Sequence, residues 1–497
     1  MKKYVYMMTG NEVWFDAAKY LHQNKIAKPV MWLGDDRHYK KAKDIFSDDV
    51  LFMDTFVHYQ ENINQINYID EKSEFFFSDN YLRAKDRCLK MMDRLDLYGS
   101  FSRQDREVVF NKISLFLLKK LSKEKPDALV MAEIAHSHAQ YLVLEICMFL
   151  NIEIVKFNTW ILGPLLYLES LQTGKRFEVD FEVDQEISKT IEEEISDYVD
   201  KVVQKKLDGN FELEYMKKQR LSLNIKNKIL SFIRSGWIDF IKEFWFQLRK
   251  NLKNNYYQIN PYRFGFYIRS KVRRARKSNL VKEHDKNINK LDLSKRFVYF
   301  ALHFEPERTT NPDGGIFHDQ FLAILALKTI LPRDIKIIVK EHPSQFYIND
   351  RGSRGRSPLF YNLIKNIEGV EFIDFKENSF QLISKAEMTA TISGTVALEA
   401  AIIGKKSLIF GNSWFNSCPN VVSWSKDLSY ESIINGNISN PEDIKDFLIN
   451  TKRKYTVIGC QNTSGQTTHK RYLNFQHFSE DELKGVTHLL KQFFKTI

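Results

Sequence analysis

At 497 residues the chain is too long for one ordinary core and divides most naturally into two domains with a cleft between them. Hydrophobic residues at 43% and aromatics at 13% exclude a disordered chain, four widely spaced cysteines exclude a disulfide scaffold, and no uncharged apolar run reaches the roughly 18 residues of a membrane span. The surplus charge of +11 is local: between positions 216 and 282 eighteen Lys or Arg stand against Asp239 and Glu243 alone, so the remainder is slightly acidic.

The opening MKKYVYMMTGNEVWFD holds only a five-residue apolar run, short of a secretory leader, and Cys88, Cys147, Cys418 and Cys460 show no CxxC or ligand spacing. Both features predict a cytoplasmic chain with reduced thiols. Through residue 177, short apolar runs at 4–8, 29–33, 50–53, 128–131 and 152–157 predict strands, and helical periodicity fills the intervals, notably 107–122 and 139–150. That alternation predicts a Rossmann-type lobe.

From 178 to 295 the pattern turns to charged helices, acidic over 180–200 and then basic. Within 225–248 the apolar residues Ile225, Ile229, Ile233, Trp237, Phe240, Ile241, Phe244, Trp245 and Leu248 recur at three- and four-residue steps, with lysines and arginines on much of the remaining surface. A basic amphipathic helix carrying Trp237, Phe244 and Trp245 suits an anionic membrane surface, here the inner face of the cytoplasmic membrane; a helix packed between lobes is the other reading. Nucleic acid would also attract this charge, but no DNA- or RNA-binding module accompanies it, so no nucleic-acid partner is expected.

Alternation resumes over 296–440, with strands predicted at 297–302, 335–339, 370–373, 388–392 and 407–410 and helices at 319–330, 380–386 and 395–403. A helical tail, 441–497, is expected to cross back to the first lobe. The informative stretches stand at the carboxyl ends of these strands, where open α/β sheets bind ligands. In IKIIVKEHPSQ, Pro343 ends the strand after Lys340 and Glu341, and His342 offers a ring N–H to a phosphate or sugar oxygen; a plain turn with a surface histidine is the alternative. In TATISGTVALEAAIIG, Ser393, Gly394 and Thr395 open a helix whose free N–H groups suit a phosphate, with Glu399 one turn further on for ribose hydroxyls; simple N-capping explains the same residues.

The order KEHP, then SGTxxLEA, then GxxxLIFGNxWF, preceded by HFEPERTTNPDGG, resembles the capsule and lipopolysaccharide biosynthesis glycosyltransferases that include bacterial β-Kdo transferases. The resemblance covers mainly 296–422, with an echo in ALVMAEIAHSHAQYLVLEICMFLNIEIVKFNTW. It implies an α/β, GT-B-like fold of two Rossmann-type lobes with the helical basic insertion between them, and a sugar moved from a nucleotide-sugar, CMP-linked in the preferred reading, onto a glycan or glycolipid acceptor. It also implies His342 on the donor phosphate, Ser393 and Thr395 at the phosphate, Glu399 on the ribose, and Asn412 and Trp414 along the donor wall. A UDP- or GDP-sugar donor, a nucleotide-sugar epimerase of the same fold and a non-catalytic polysaccharide assembly protein stay open.

At HFEPER, the β-Kdo transferases favour Gln and Asp where this chain has Glu305 and Glu307, so the expected carboxylate facing the anomeric carbon is Glu307 or Glu305, with Arg308 neutralising a donor anion. In the first lobe Glu133 and His136 follow a strand end and are candidate general bases for the acceptor hydroxyl. No DxD motif stands where a strand-end metal would need one. The expectation is therefore no metal and no cofactor, the nucleotide-sugar being a co-substrate.

Overall fold

The computed structural model describes residues 1–34, 38–46, 50–54, 73–95, 102–160, 162–180, 185–208, 241, 245, 279–307, 310–347, 352, 355–474 and 477–497. Its first sheet assembles from strands apolar on both faces. All four residues of β4 (Ala128–Met131) are buried, as is most of β1 (Lys2–Met7) and β2 (Ala27–Gly34), the pattern of parallel strands covered by helices on either side. With β3 (Leu51–Asp54), β5 (Glu153–Trp160), β6 (Leu165–Ser170) and β13 (Val457–Ile458), the order is β13-β6-β5-β4-β1-β2-β3. Strands β1 to β5 pair in parallel, while β6 and β13 pair antiparallel at the edge.

The second sheet contains β7 (Phe297–Ala301), β8 (Lys336–Lys340), β9 (Val370–Ile373), β10 (Thr389–Thr391), β11 (Ser407–Ile409) and β12 (Val421–Ser423) in the order β12-β11-β10-β7-β8-β9, all parallel. In both sheets the direction of winding reverses once, between β1 and β4 and between β7 and β10. These reversals open crevices beyond the strand ends, where doubly wound sheets bind ligands. The fold is thus α/β with two Rossmann-type lobes, as the sequence leads one to expect. Each strand predicted from an apolar run is present to within a few residues; β6, β12 and β13 are additions.

The region between the lobes is described only in part. The helix Gln185–Asp208 packs against the helices Ser379–Lys385, Val396–Ile402 and Pro441–Tyr455, and Glu192 pairs with both Lys452 and Arg453. The helix Asn279–Asn287 buries His284 among the rings of Phe346, Tyr361, Phe372 and Phe375. Trp237 and Phe244 of the basic amphipathic pattern lie outside the described residues; Ile241 and Trp245 are exposed. Among the described residues no helix is long and apolar enough to cross a membrane.

After the helix Pro441–Tyr455, β13 joins the first sheet and the closing helix Phe478–Thr496 packs on the helix Glu12–Gln23. The crossing is held by buried and partly buried polar contacts. Glu482 accepts from the backbone N–H of Cys460 at 2.7 Å and from Asn11 Nδ2 at 3.2 Å, while burial pushes its carboxyl up to about 7. Trp14 Nε1 and Thr9 Oγ1 both donate to the carbonyl of Gln461, at 2.7 and 2.5 Å.

Candidate active site

The two crevices face each other across a cavity of about 440 Å³. From the first lobe it receives Glu133 beyond β4 and Lys156, Asn158 and Thr159 of β5; from the second, Ser393 and Thr395 beyond β10 and Asn412 and Trp414 beyond β11. Gln461 and Asn462 of the tail close one side. Five sequence-predicted residues, Glu133, Ser393, Thr395, Asn412 and Trp414, therefore meet in one space.

The Ser393-Gly394-Thr395 loop rests on His303, two residues beyond β7. The Ser393 N–H donates to His303 Nε2 at 3.1 Å, and Thr391 Oγ1 lies 3.2 Å from the same nitrogen. Burial, followed by the neighbouring His342 and Arg356, pushes His303 down to about 3, so the ring stays neutral and its lone pair serves as the acceptor. Gly394 fits closely here: a Cβ would stand 3.0 Å from Thr391 Oγ1 and 3.4 Å from His303 Nε2, tighter than ordinary contact. Thr395 occupies the N-cap position of the helix Val396–Ile402 without a side-chain cap bond.

The KEHP turn is fixed by its glutamate. Buried Glu341 receives Arg356 at 2.8 and 3.2 Å, the Tyr361 hydroxyl at 3.1 Å and the His342 N–H at 2.9 Å, and Arg356 also donates to the His303 carbonyl at 3.0 Å. Removing one partner of so buried an ion pair typically costs about 3–5 kcal/mol. The ends of β7 and β8 are thereby locked together. His342 Nδ1 accepts the Ser344 N–H at 3.1 Å, which assigns the ring proton to Nε2, and burial holds the imidazole near 4. Pro343 stands three residues beyond the end of β8, directly before the helical turn Ser344–Tyr347.

Several predicted residues stand apart from the cavity lining. Lys340 is buried and donates to Ser379 Oγ at 2.5 Å, its ammonium pushed down to about 8 by burial, against the opposing Glu377 and Asp374. Glu399 is half-buried, its charge felt by the hydroxyls of Tyr198 and Tyr299. Glu305 is buried and accepts Gln320 Nε2 at 3.1 Å and the Glu307 N–H at 3.3 Å, so its carboxylate organises its own loop. Glu307 is half-buried, and Arg308 lies outside the described residues. His136 Nδ1 is 3.6 Å from Glu133 Oε1 and 2.9 Å from the Ile134 carbonyl.

Other residues of the site have no motif to announce them. Lys156 is buried in β5 with Nζ 3.7 Å from Asp313 of the other lobe, the only Lys or Arg among the described residues lining the cavity. Its signal was a lysine inside an otherwise apolar run. Asn462 Nδ2 donates to Glu133 Oε2 at 2.9 Å, and Gln461 is held by Thr159 Oγ1 and the Phe157 carbonyl at 2.6 Å each. Trp160 and Trp414, with ring centroids 4.5 Å apart, join the lobes beside the cavity. No group of three or more His, Cys, Asp or Glu among the described residues is placed to hold a metal ion.

The sequence matches no family model and no curated protein. Among solved structures, a UDP-GlcNAc 2-epimerase from Methanocaldococcus jannaschii is 11% identical over 90% of this chain and 98% of its own, at a TM-score of 0.24. The KpsC β-Kdo 2,4-transferase of Thermosulfurimonas dismutans is 13% identical over 70% and 96%, at 0.25, and a glycosyltransferase from Rickettsia africae is 8% identical over 100% and 98%, at 0.20. Overlaps of this size carry no functional argument, which rests on the site itself.

Proposed function

We propose that the chain is a metal-independent glycosyltransferase that transfers a sugar, in the preferred reading Kdo or a related ulosonic acid from a CMP-sugar, to a growing bacterial surface polysaccharide or lipid-linked glycan. The observation that carries this reading is the meeting, in one cavity between two Rossmann-type lobes, of a strand-end carboxylate from one lobe and the Ser393-Gly394-Thr395 loop of the other. In this reading Ser393 and Thr395 hold the donor phosphate and Asn412 and Trp414 form the donor wall, while the Nε2–H of His342 is assigned to the phosphate and Glu399 to the ribose from outside the cavity lining. Lys156 suits an anionic donor.

Glu133, oriented by Asn462, takes the proton of the acceptor hydroxyl, whose oxygen bonds to the anomeric carbon as the bond from that carbon to the phosphate oxygen breaks. The nucleotide leaves with both electrons of the broken bond. The reading assigns charge balance at the anomeric carbon to Glu307, with Glu305 as the alternative, although both stand outside the cavity lining and Glu305 accepts from Gln320 and the Glu307 N–H. The basic segment holds the enzyme at an anionic inner-membrane surface, near a lipid-carried acceptor.

The test is thermal stability with CMP, UDP and GDP, since a ligand that binds only the folded state raises Tm. Stabilisation by CMP supports the reading. Stabilisation by UDP alone overturns the ulosonic-acid donor, and isomerisation of the donor in the absence of acceptor overturns transfer in favour of epimerisation.

A further inference from the structure

A second concavity of about 530 Å³ opens beside the active-site cavity and shares Asn412 with it. The partition between them is made of paired side chains, one from each space. Asn158, which lines the first, donates to Glu169 of the second at 3.0 Å; Asn416 of the second donates to Asn412 Oδ1 at 2.9 Å. Arg176 of the second lies over the ring of Tyr167, 4.6 Å from its centroid, and donates to the Trp414 carbonyl at 2.9 Å, both partners being residues of the first. The two spaces thus adjoin, with these paired side chains between them.

The second space has the chemistry of a neutral polyhydroxyl ligand. Its charged side chains, Glu169 and Arg176, are one of each sign, and the guanidinium is already committed to a ring and a carbonyl, so nothing here supplies the surplus positive charge a phosphate requires. What remains are amides and hydroxyls able both to donate and to accept, together with the half-buried rings of Phe447 and Tyr455. Rings set among convergent hydrogen-bonding groups offer an apolar face to sugar C–H groups and partners to their hydroxyls.

We propose that this groove is an acceptor-glycan subsite, holding the sugar residues that precede the acceptor hydroxyl while that hydroxyl reaches Glu133 past Asn412, the residue common to both spaces. The inference rests on the glycosyltransferase reading and adds to it that the substrate is an oligosaccharide, bound over more than one residue. The groove is formed by the β6 hairpin, the loop after β11 and the helix Pro441–Tyr455, so both lobes and the tail contribute.

The experiment uses the full chain and two probes, a disaccharide and a hexasaccharide cut from the cell-surface polysaccharide of the source organism, with binding measured calorimetrically and transfer from the nucleotide-sugar followed in parallel. Wild type is expected to bind the hexasaccharide on the order of tenfold more tightly than the disaccharide. Ser417→Trp, which fills the groove from an exposed position, and Tyr455→Ala should each bring that ratio toward one; Ser417→Trp guards against a folding defect at the partly packed Tyr455, and an unchanged Tm is the control. A ratio of one in wild type, or one unmoved by Ser417→Trp, overturns the groove while turnover leaves the proposed function standing. Competition by inorganic pyrophosphate against the hexasaccharide alone also overturns it, in favour of an anion. If no nucleotide-sugar is consumed with any acceptor, the proposed function itself falls and the subsite with it.

Discussion

The backbone N–H of Ser393 points at Nε2 of His303 across 3.1 Å, so the loop proposed to meet the donor phosphate is seated on a buried neutral histidine. His303 is held near 3, below its ordinary value of 6.5, because the fold favours the uncharged ring. As pH falls through 6.5 the unfolded chain takes up the proton first; stability is complete above that value and is lost progressively toward pH 3, at roughly 1.4 kcal/mol per pH unit for each such group. His138, also near 3, and His342, near 4, act in the same direction. Urea unfolding at pH 7 and pH 5 should show this loss, and His303→Gln should make the slope shallower by one proton. An unaltered slope removes His303 from the titration.

His342→Ala and Ser393→Ala should each weaken binding of the donor nucleotide while leaving Tm near that of wild type. Loss of one charge-assisted phosphate contact costs about 1.5–3 kcal/mol, or about 10- to 150-fold in affinity. Titration calorimetry with the nucleotide decides it: an affinity unchanged from wild type in both variants takes these residues out of the donor site.

The carboxylates separate by their surroundings. Glu133 faces the cavity and receives Asn462, so Glu133→Gln should lower kcat by about 10²- to 10⁴-fold with little change in donor affinity. Glu307→Gln should also suppress turnover, whereas Glu305→Gln places an amide N–H₂ against groups that now donate to a carboxylate and should lower Tm first. Full activity in Glu133→Gln would leave the acceptor hydroxyl without the proposed base.

How much of this was legible follows from where each residue stands relative to an apolar run. Ser393, Thr395, Asn412 and Glu133 each follow a short buried strand, and a strand that reads as an uninterrupted apolar segment also announces its carboxyl end, where a parallel sheet exposes whatever comes next. Lys156 lies within β5 rather than beyond it, so its role appears only once Asp313 is brought opposite. Gln461 and Asn462 reach the site from the far end of the chain. The tail crossing was expected, but two-residue β13 exists only because β6 offers an edge, and no local periodicity could reveal it. Likewise nothing near KEHP pointed to Arg356, whose bonds to Glu341 and the His303 carbonyl fasten two strand ends together.

Lys156, paired with Asp313, is the cavity-lining cation proposed to meet an anionic donor. Lys156→Gln should raise the dissociation constant of a carboxylate-bearing nucleotide-sugar by about 10- to 150-fold and that of the free nucleotide much less, in keeping with the worth of a buried charge-assisted bond. Equal losses for both ligands would assign the lysine to the nucleotide phosphate instead of the sugar.

The basic segment between the lobes should bring the protein to anionic liposomes. Its charge is concentrated where Trp237, Phe244 and Trp245 recur at helical spacing, and Trp245 is exposed. Each Lys or Arg near an anionic leaflet contributes about 1 kcal/mol, an attraction that weakens as salt shortens the Debye length below about 8 Å, while insertion of aromatic rings is indifferent to screening. Binding in a sedimentation assay should therefore fall between 0.05 and 0.5 M salt (on the order of the range over which screening changes most) without vanishing. The double variant Trp237→Ser, Trp245→Ser should lose the salt-resistant part and keep transfer to a soluble acceptor analogue, because the proposed donor site lies in the second lobe. If that variant unfolds, the two rings belong to a core and the segment is a packing element. If it folds and binds liposomes as wild type does, the charge alone accounts for the attraction and the aromatic face has another partner.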